Sequence, residues 1–99
     1  MPDEDVFDRA TYGRLVRAAR IIAGFDRLED LPAVILERTG VEISTRTLYS
    51  IERGEQTITV PQYMALAVAL DPPAGLAYWE SAMSEGVRSL IRRRVEESR

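Results

Sequence analysis

The chain has 99 residues, 45% hydrophobic and 29% charged, with a net charge of −3. That suits one globular domain and is too short for two. It contains no cysteine and no histidine, which excludes disulfides and cysteine-based zinc or redox sites and removes the usual general base and the commonest transition-metal ligand.

Residues 1–7 read as an acidic leader without fixed structure, carrying Asp3, Glu4 and Asp5. They do not resemble a secretory signal, and no apolar run approaches the length of a membrane span. Asp8 is placed to cap a first helix reaching about Ala23. Tyr12, Leu15, Val16, Ala19, Ile22 and Ala23 share one face at helical spacing, and Gly24 sits where a helix stops. Asp26 and Glu29 have capping-box spacing, but a helix begun there would carry Pro32 too deep. A short turn over 26–30 followed by a helix from Leu31 to Thr39 puts Pro32 in the first turn, where its missing N–H costs little. Val34, Ile35 and Arg38 follow, and Gly40 ends the element.

Ser44 is the N-cap expected for a short third helix to Arg53, with Leu48 and Ile51 inward and Gly54 as its stop. Thr59 or Val60 opens a fourth, with Pro61 in its first turn and Tyr63, Leu66, Ala67 and Leu70 on its apolar face. Asp71-Pro72-Pro73 breaks the chain. A final helical region is expected from about Ala74 to Glu97, bent near Gly86, with an apolar stripe of Leu76, Trp79, Met83, Val87, Leu90 and Ile91. Only Thr57–Val60 is β-prone, and it is short. The expected fold is all-α: a compact four- to five-helix bundle over residues 8–73 plus a C-terminal amphipathic helix over 74–99.

Charge is unevenly distributed. Residues 9–54 carry eight arginines against six acidic residues, and Arg88, Arg92, Arg93, Arg94 and Arg99 cluster near the end. All thirteen basic residues are arginine. Its planar fork suits phosphate and base recognition, although codon usage in a GC-rich genome is the simpler cause.

Two short helices joined by a tight, glycine-containing turn form the core of a helix-turn-helix. In the run Ser44 to Gly54, Leu48 and Ile51 anchor one side, while Thr45, Arg46, Tyr49, Ser50 and Arg53 project from the other. The run Thr47-Leu-Tyr-Ser-Ile-Glu-Arg-Gly54 resembles the end of the recognition helix in the XRE, or lambda-repressor-like, family of phage repressor and Cro-like regulators. Arg20-Ile-Ile-Ala-Gly24 and Val60 to Leu70 are similar to the ends of that family's first helix and to its fourth. The match covers residues 9–71. Two features depart from the family: Pro32 in the second helix, and the long turn from Thr39 to Ser44. Similar long turns occur among repressor-like proteins of actinobacterial phages.

The resemblance implies roles. Thr45, Arg46, Tyr49 and Ser50 would face base edges in the major groove, Arg46 by pairing with guanine. Tyr49 has a second reading, packed sideways against the domain. Arg27, Ser44, Arg53, Gln56 and Thr57 would touch phosphates, with Glu55 an unfavourable neighbour. Arg20 and Glu52 would form a structural ion pair between the first helix and the recognition helix. The implied partner is double-stranded operator DNA, as a palindromic site read by a homodimer, in a bacterial cytoplasm at the nucleoid. No cofactor, metal, small-molecule ligand or membrane is expected.

For the C-terminal stripe, residues 74–83 are expected to pack on the core. Trp79, Met83, Val87, Leu90 and Ile91 are the candidates for a dimer interface, while Arg92–Arg94 read either as a solvated face or as a DNA-backbone patch. The alternative function is an antitoxin or other protein-binding module on the same scaffold, with the C-terminal helix as its partner segment. An enzyme is not expected: Asp26, Glu29 and Asp30 suit the positive end of a helix better than acid–base or divalent-metal chemistry.

Overall fold

Helix α1 (Arg9–Ile22) is entered at Asp8, whose carboxylate accepts a hydrogen bond from the Thr11 hydroxyl. That bond holds the Asp8 pKa below the usual carboxylate value. The computed structural model to which this helix belongs describes residues 7–97, the Ile91 side chain excepted. Residues 1–6 of the expected leader lie outside that range.

Tyr12, Val16 and Ala19 of α1 are buried, but Ile22 is 61% exposed and Ala23 is also exposed. The expected face is therefore shorter than its spacing suggested. The helix ends at Ile22, Gly24 turns the chain at φ +94°, and the buried position in the last turn is taken by Arg20.

A single 3-10 turn, Leu28–Asp30, leads into α2 (Leu31–Thr39). Pro32 lies in the first turn of α2, and Gly40 ends it in the left-handed region at φ +73°. Leu28, Leu31 and Ile35 face the core. Helix α3 (Thr45–Glu52) begins at Ser44, whose hydroxyl oxygen accepts a bond from the Thr47 N–H at 3.1 Å. Helix α4 (Val60–Leu70) begins with a full capping box: the Thr59 hydroxyl oxygen accepts from the Gln62 N–H, and the Gln62 side chain accepts from the Thr59 N–H. Together these satisfy two of the N–H groups that a helix start leaves unpaired. At the other end of α4, Arg38 donates to the Ala69 carbonyl at 2.6 Å, tying α2 to α4.

The chain after Pro73 departs from expectation. It is not one bent helix. A 3-10 segment, Gly75–Ala82, is followed by extended backbone at Met83, and only then by α5 (Glu85–Glu97). The break has a partner: Met83 forms an isolated antiparallel bridge with Phe7, and the Asp8 N–H donates to the Ala82 carbonyl at 2.7 Å. Among the described residues this bridge is the only β-type pairing, and the fold is an all-α bundle.

Phe7, expected in the leader, is thereby held in the core at 6% exposure. Trp79 is fully buried, so it is not available to a dimer surface. The two residues close an aromatic cluster. Phe7 and Tyr12 have ring centroids 4.6 Å apart, Tyr12 and Trp79 5.2 Å, and Tyr63 and Trp79 6.1 Å in an edge-on arrangement. Such pairs favour tilted and edge-on geometry because each ring has a negative face and a positive rim. Tyr78 completes the attachment by donating to the Leu15 carbonyl at 2.8 Å. Leu76, expected in the buried stripe, is 58% exposed because the 3-10 segment presents a different side to the core.

Helix α5 stands apart. Among the described residues it is not in any of the extensive packings between elements, and the molecule measures 43 × 28 × 22 Å. Met83 and Val87 are half-buried, while Leu90 and Val95 are 60% and 53% exposed. The Ile91 side chain lies outside the described residues. On its polar side Arg92 pairs with Glu85 at 2.8 Å, and Arg93 and Arg94 are exposed. No helix among the described residues is long and apolar enough to cross a membrane.

Candidate nucleic-acid interface

Helix α3 is fixed from behind. Leu48 and Ile51 are buried, and its C-terminal end is held by a charged pair. Arg20 Nε lies 2.7 Å from Glu52 Oε2, and Arg20 Nη2 lies 3.2 Å from Glu52 Oε1. The remaining Arg20 nitrogen, Nη1, donates to the Phe25 and Asp26 carbonyls at 2.7 and 2.9 Å. Both side chains are over nine-tenths buried, at 8% and 9% exposure. One guanidinium thus joins α1, the chain leading to α2, and α3. The hydrogen bond that Arg20 donates to Glu52 raises the Arg20 pKa above its ordinary value, keeping the cation charged despite burial.

Backbone contact supplies a second constraint. A Cβ at Gly13 would lie 2.5 Å from the Glu52 carbonyl oxygen and 2.6 Å from that of Ile51. Helices α1 and α3 therefore touch through main chain, an approach that only glycine permits. Sequence reading missed Gly13. It lies on the buried face with Tyr12 and Val16, and a glycine inside an apolar helical face is the signal that could have identified it.

With its inner side so held, α3 turns Arg46, Tyr49 and Arg53 outward, all exposed. Thr45 and Ser50 are half-buried beside them. The Arg46 guanidinium has no hydrogen-bond or ion-pair partner among the described residues. Arg53 stacks over the Tyr49 ring, 5.6 Å from its centroid. The Tyr49 hydroxyl donates to Glu29 Oε1 at 3.4 Å, the long end of hydrogen-bond range. Tyr49 is thus exposed on one side and held at its tip by the turn before α2, rather than packed into the domain.

The expected phosphate group is only partly assembled. Arg27 is exposed and lies 3.9 Å from Glu29, so it reaches the same face as Tyr49 and Arg53. The Ser44 hydroxyl is occupied by capping α3 and by a hydrogen bond to Thr47 Oγ1. Gln56 is half-buried, while Thr57 and Glu55 are exposed in the segment between α3 and α4. Sequence reading also missed Glu29 as a member of this face, because its contact with Tyr49 joins residues twenty positions apart. Asp26, Glu29 and Asp30 are all exposed, and among the described residues no group of three or more acidic side chains is placed to hold a metal ion.

The face therefore combines a rigid helix, outward arginines, a tyrosine and short hydroxyl side chains. These groups can donate to base edges or phosphate oxygens. Comparison with protein-family models, curated proteins and solved structures finds no match to this chain.

Proposed function

We propose that the chain is a sequence-specific double-stranded DNA-binding regulator of the XRE, lambda-repressor-like type, acting as a repressor and reading the major groove with α3. One observation carries the reading. Arg46, Tyr49 and Arg53 face outward on a helix whose opposite side is pinned by Leu48, Ile51 and the Arg20–Glu52 pair. A recognition helix needs this rigidity, since base contacts depend on side chains held in register with the groove. The overall charge of −3 does not oppose the reading, because local charge governs the contact.

We further infer a homodimer through α5. A helix of 13 residues outside the extensive packings between elements is marginal in water by itself, and Val87, Leu90 and Val95 give it an apolar edge to bury. Two-fold symmetry would then match an operator with two half-sites about one helical turn apart. The protein would act in a bacterial cytoplasm at the nucleoid.

The direct test is selection of bound sequences from a random duplex pool. Enrichment of an inverted repeat supports both inferences. A second reading, a protein-binding module such as an antitoxin, draws on the row Val60, Met64 and Val68 along α4, which are 70%, 46% and 54% exposed. If nothing is enriched from the pool, that reading takes precedence.

A further inference from the structure

We propose that Glu29 limits the affinity of this face for arbitrary duplex DNA, acting as a built-in competitor for the phosphate that Arg27 would bind and as the group that aims the Tyr49 hydroxyl. The proposal rests on the DNA reading above and names a residue that tunes the affinity of that face.

The geometry is simple. Glu29 offers one carboxylate oxygen to each neighbour: Oε2 lies 3.9 Å from Arg27 Nη2, and Oε1 lies 3.4 Å from the Tyr49 hydroxyl. Arg53 lies over the Tyr49 ring. An arginine and a tyrosine assigned to DNA contact thus meet one negative charge. That charge is half-exposed, at 48%. It contributes little to folding, as exposed ion pairs are screened and weak.

A phosphate drawn to Arg27 must displace or endure this carboxylate. Non-specific binding consists almost entirely of phosphate neutralisation with release of counterions. A complex on the wrong sequence therefore feels the full penalty. On the right sequence, base contacts by Arg46 and its neighbours add binding that does not depend on Arg27. Glu29 thus lowers both affinities by a similar factor, which keeps the protein from being held on arbitrary duplex. Tyr49 gains a second benefit: with Arg53 over its ring and its hydroxyl directed to Glu29, it has fewer orientations to lose on binding.

The test uses the full chain and a labelled random-sequence duplex, with fluorescence anisotropy followed across a salt series. Glu29→Gln is compared with Glu80→Gln, which removes the same charge from the exposed surface of the 3-10 segment. Glu29→Gln is expected to tighten random-duplex binding about 3- to 10-fold and to steepen the salt slope by roughly 0.9, one further phosphate. It should tighten binding to a selected site by a similar factor. Glu80→Gln should leave both unchanged. A Glu29→Gln variant that behaves like Glu80→Gln overturns the proposal while leaving the DNA reading intact. Failure of the unaltered protein to bind any duplex overturns both, and that failure is visible without the variants. Melting curves confirm that each exposed substitution leaves the fold in place.

Discussion

Gly13 on α1 lies directly against the main chain of Glu52 on α3, so close that a methyl group at position 13 would sit 2.5 Å from the Glu52 carbonyl oxygen. The obstacle is backbone rather than the end of a flexible side chain, so it cannot rotate away. Gly13→Ala must push the two helices apart or distort one of them, although alanine is the better helix former. The expected cost is about 1–3 kcal/mol. For a domain of this size that lowers the melting temperature by roughly 4–8 °C per kcal/mol. Thermal unfolding followed by circular dichroism measures it, and a variant as stable as the parent would refute the contact.

The same Glu52 carries the second prediction, through its side chain. Removing one partner of a buried ion pair strands the other charge and typically costs about 3–5 kcal/mol. Here the two ends are unequal. After Glu52→Ala, Arg20 still donates to the Phe25 and Asp26 carbonyls; after Arg20→Ala, Glu52 and both carbonyls lose their donor together. Arg20→Ala is therefore expected to be the more damaging. Urea unfolding of both variants ranks them, and the reverse order would refute this account of the loop carbonyls.

The third prediction concerns the segment after Pro73. Trp79 is fully buried against Tyr12 and Tyr63, so Trp79→Ala should cost about 3–5 kcal/mol. Truncation at residue 73 should destabilise residues 8–73 rather than release an intact domain. Because the chain has a single tryptophan, its fluorescence reports directly: emission from the native protein should be blue-shifted and should move red on unfolding. Native emission at the solvent-exposed wavelength would contradict the burial.

These predictions separate what local sequence could reveal from what it could not. The bounds of α2 and the starts of α3 and α4 were legible because Pro32, Gly40, Ser44 and Pro61 act within one turn of themselves. The outward position of Arg46 followed from the inward spacing of Leu48 and Ile51. The capping box at Thr59 was present as a Thr-x-x-Gln pattern, but only the helix start was read from it. Phe7 and Glu29 were illegible for a common reason. Their roles come from Met83 and Tyr49, which are distant in sequence, and no periodicity encodes such meetings; Gly13 left a trace on the apolar face of α1, but its partner Glu52 did not. The Leu76–Ile91 stripe misled for a related reason, since helical spacing continued past Met83 where the bridge to Phe7 breaks the helix.

Alkaline pH offers a further test. The Tyr12 hydroxyl is buried with no hydrogen-bond partner among the described residues, and burial, followed by the neighbouring Tyr63, raises its pKa well above the ordinary value of 10.0. The folded state thus keeps Tyr12 protonated where the unfolded state would ionise. Its contribution to stability is whole below pH 10 and is lost progressively as pH rises above that value. Tyr63 and Tyr78 are raised by burial too and add to the same slope. Tyr12→Phe should flatten the loss of stability above pH 10. At neutral pH it should leave stability equal or higher, since it removes an unpaired buried hydroxyl while keeping the ring. Denaturant midpoints measured across alkaline pH decide it; an unchanged slope in Tyr12→Phe would exclude Tyr12 as a contributor.

Arg46 and Arg53 divide the proposed DNA contact into two measurable parts. Arg46 points outward with no partner to satisfy it, so its loss should leave folding untouched. As a base-reading residue, Arg46→Ala should weaken binding to a selected site by about 1–3 kcal/mol and relax preference at one base pair. Arg53 already lies over the Tyr49 ring, and the family resemblance assigns it to phosphate. Arg53→Ala should therefore weaken all sequences alike and reduce the salt slope by about one. Binding isotherms on selected and random duplexes, each across a salt series, distinguish the two patterns. If Arg46→Ala weakened both duplexes equally, Arg46 would be a phosphate contact, and sequence reading would fall to Tyr49, Ser50 and Thr45.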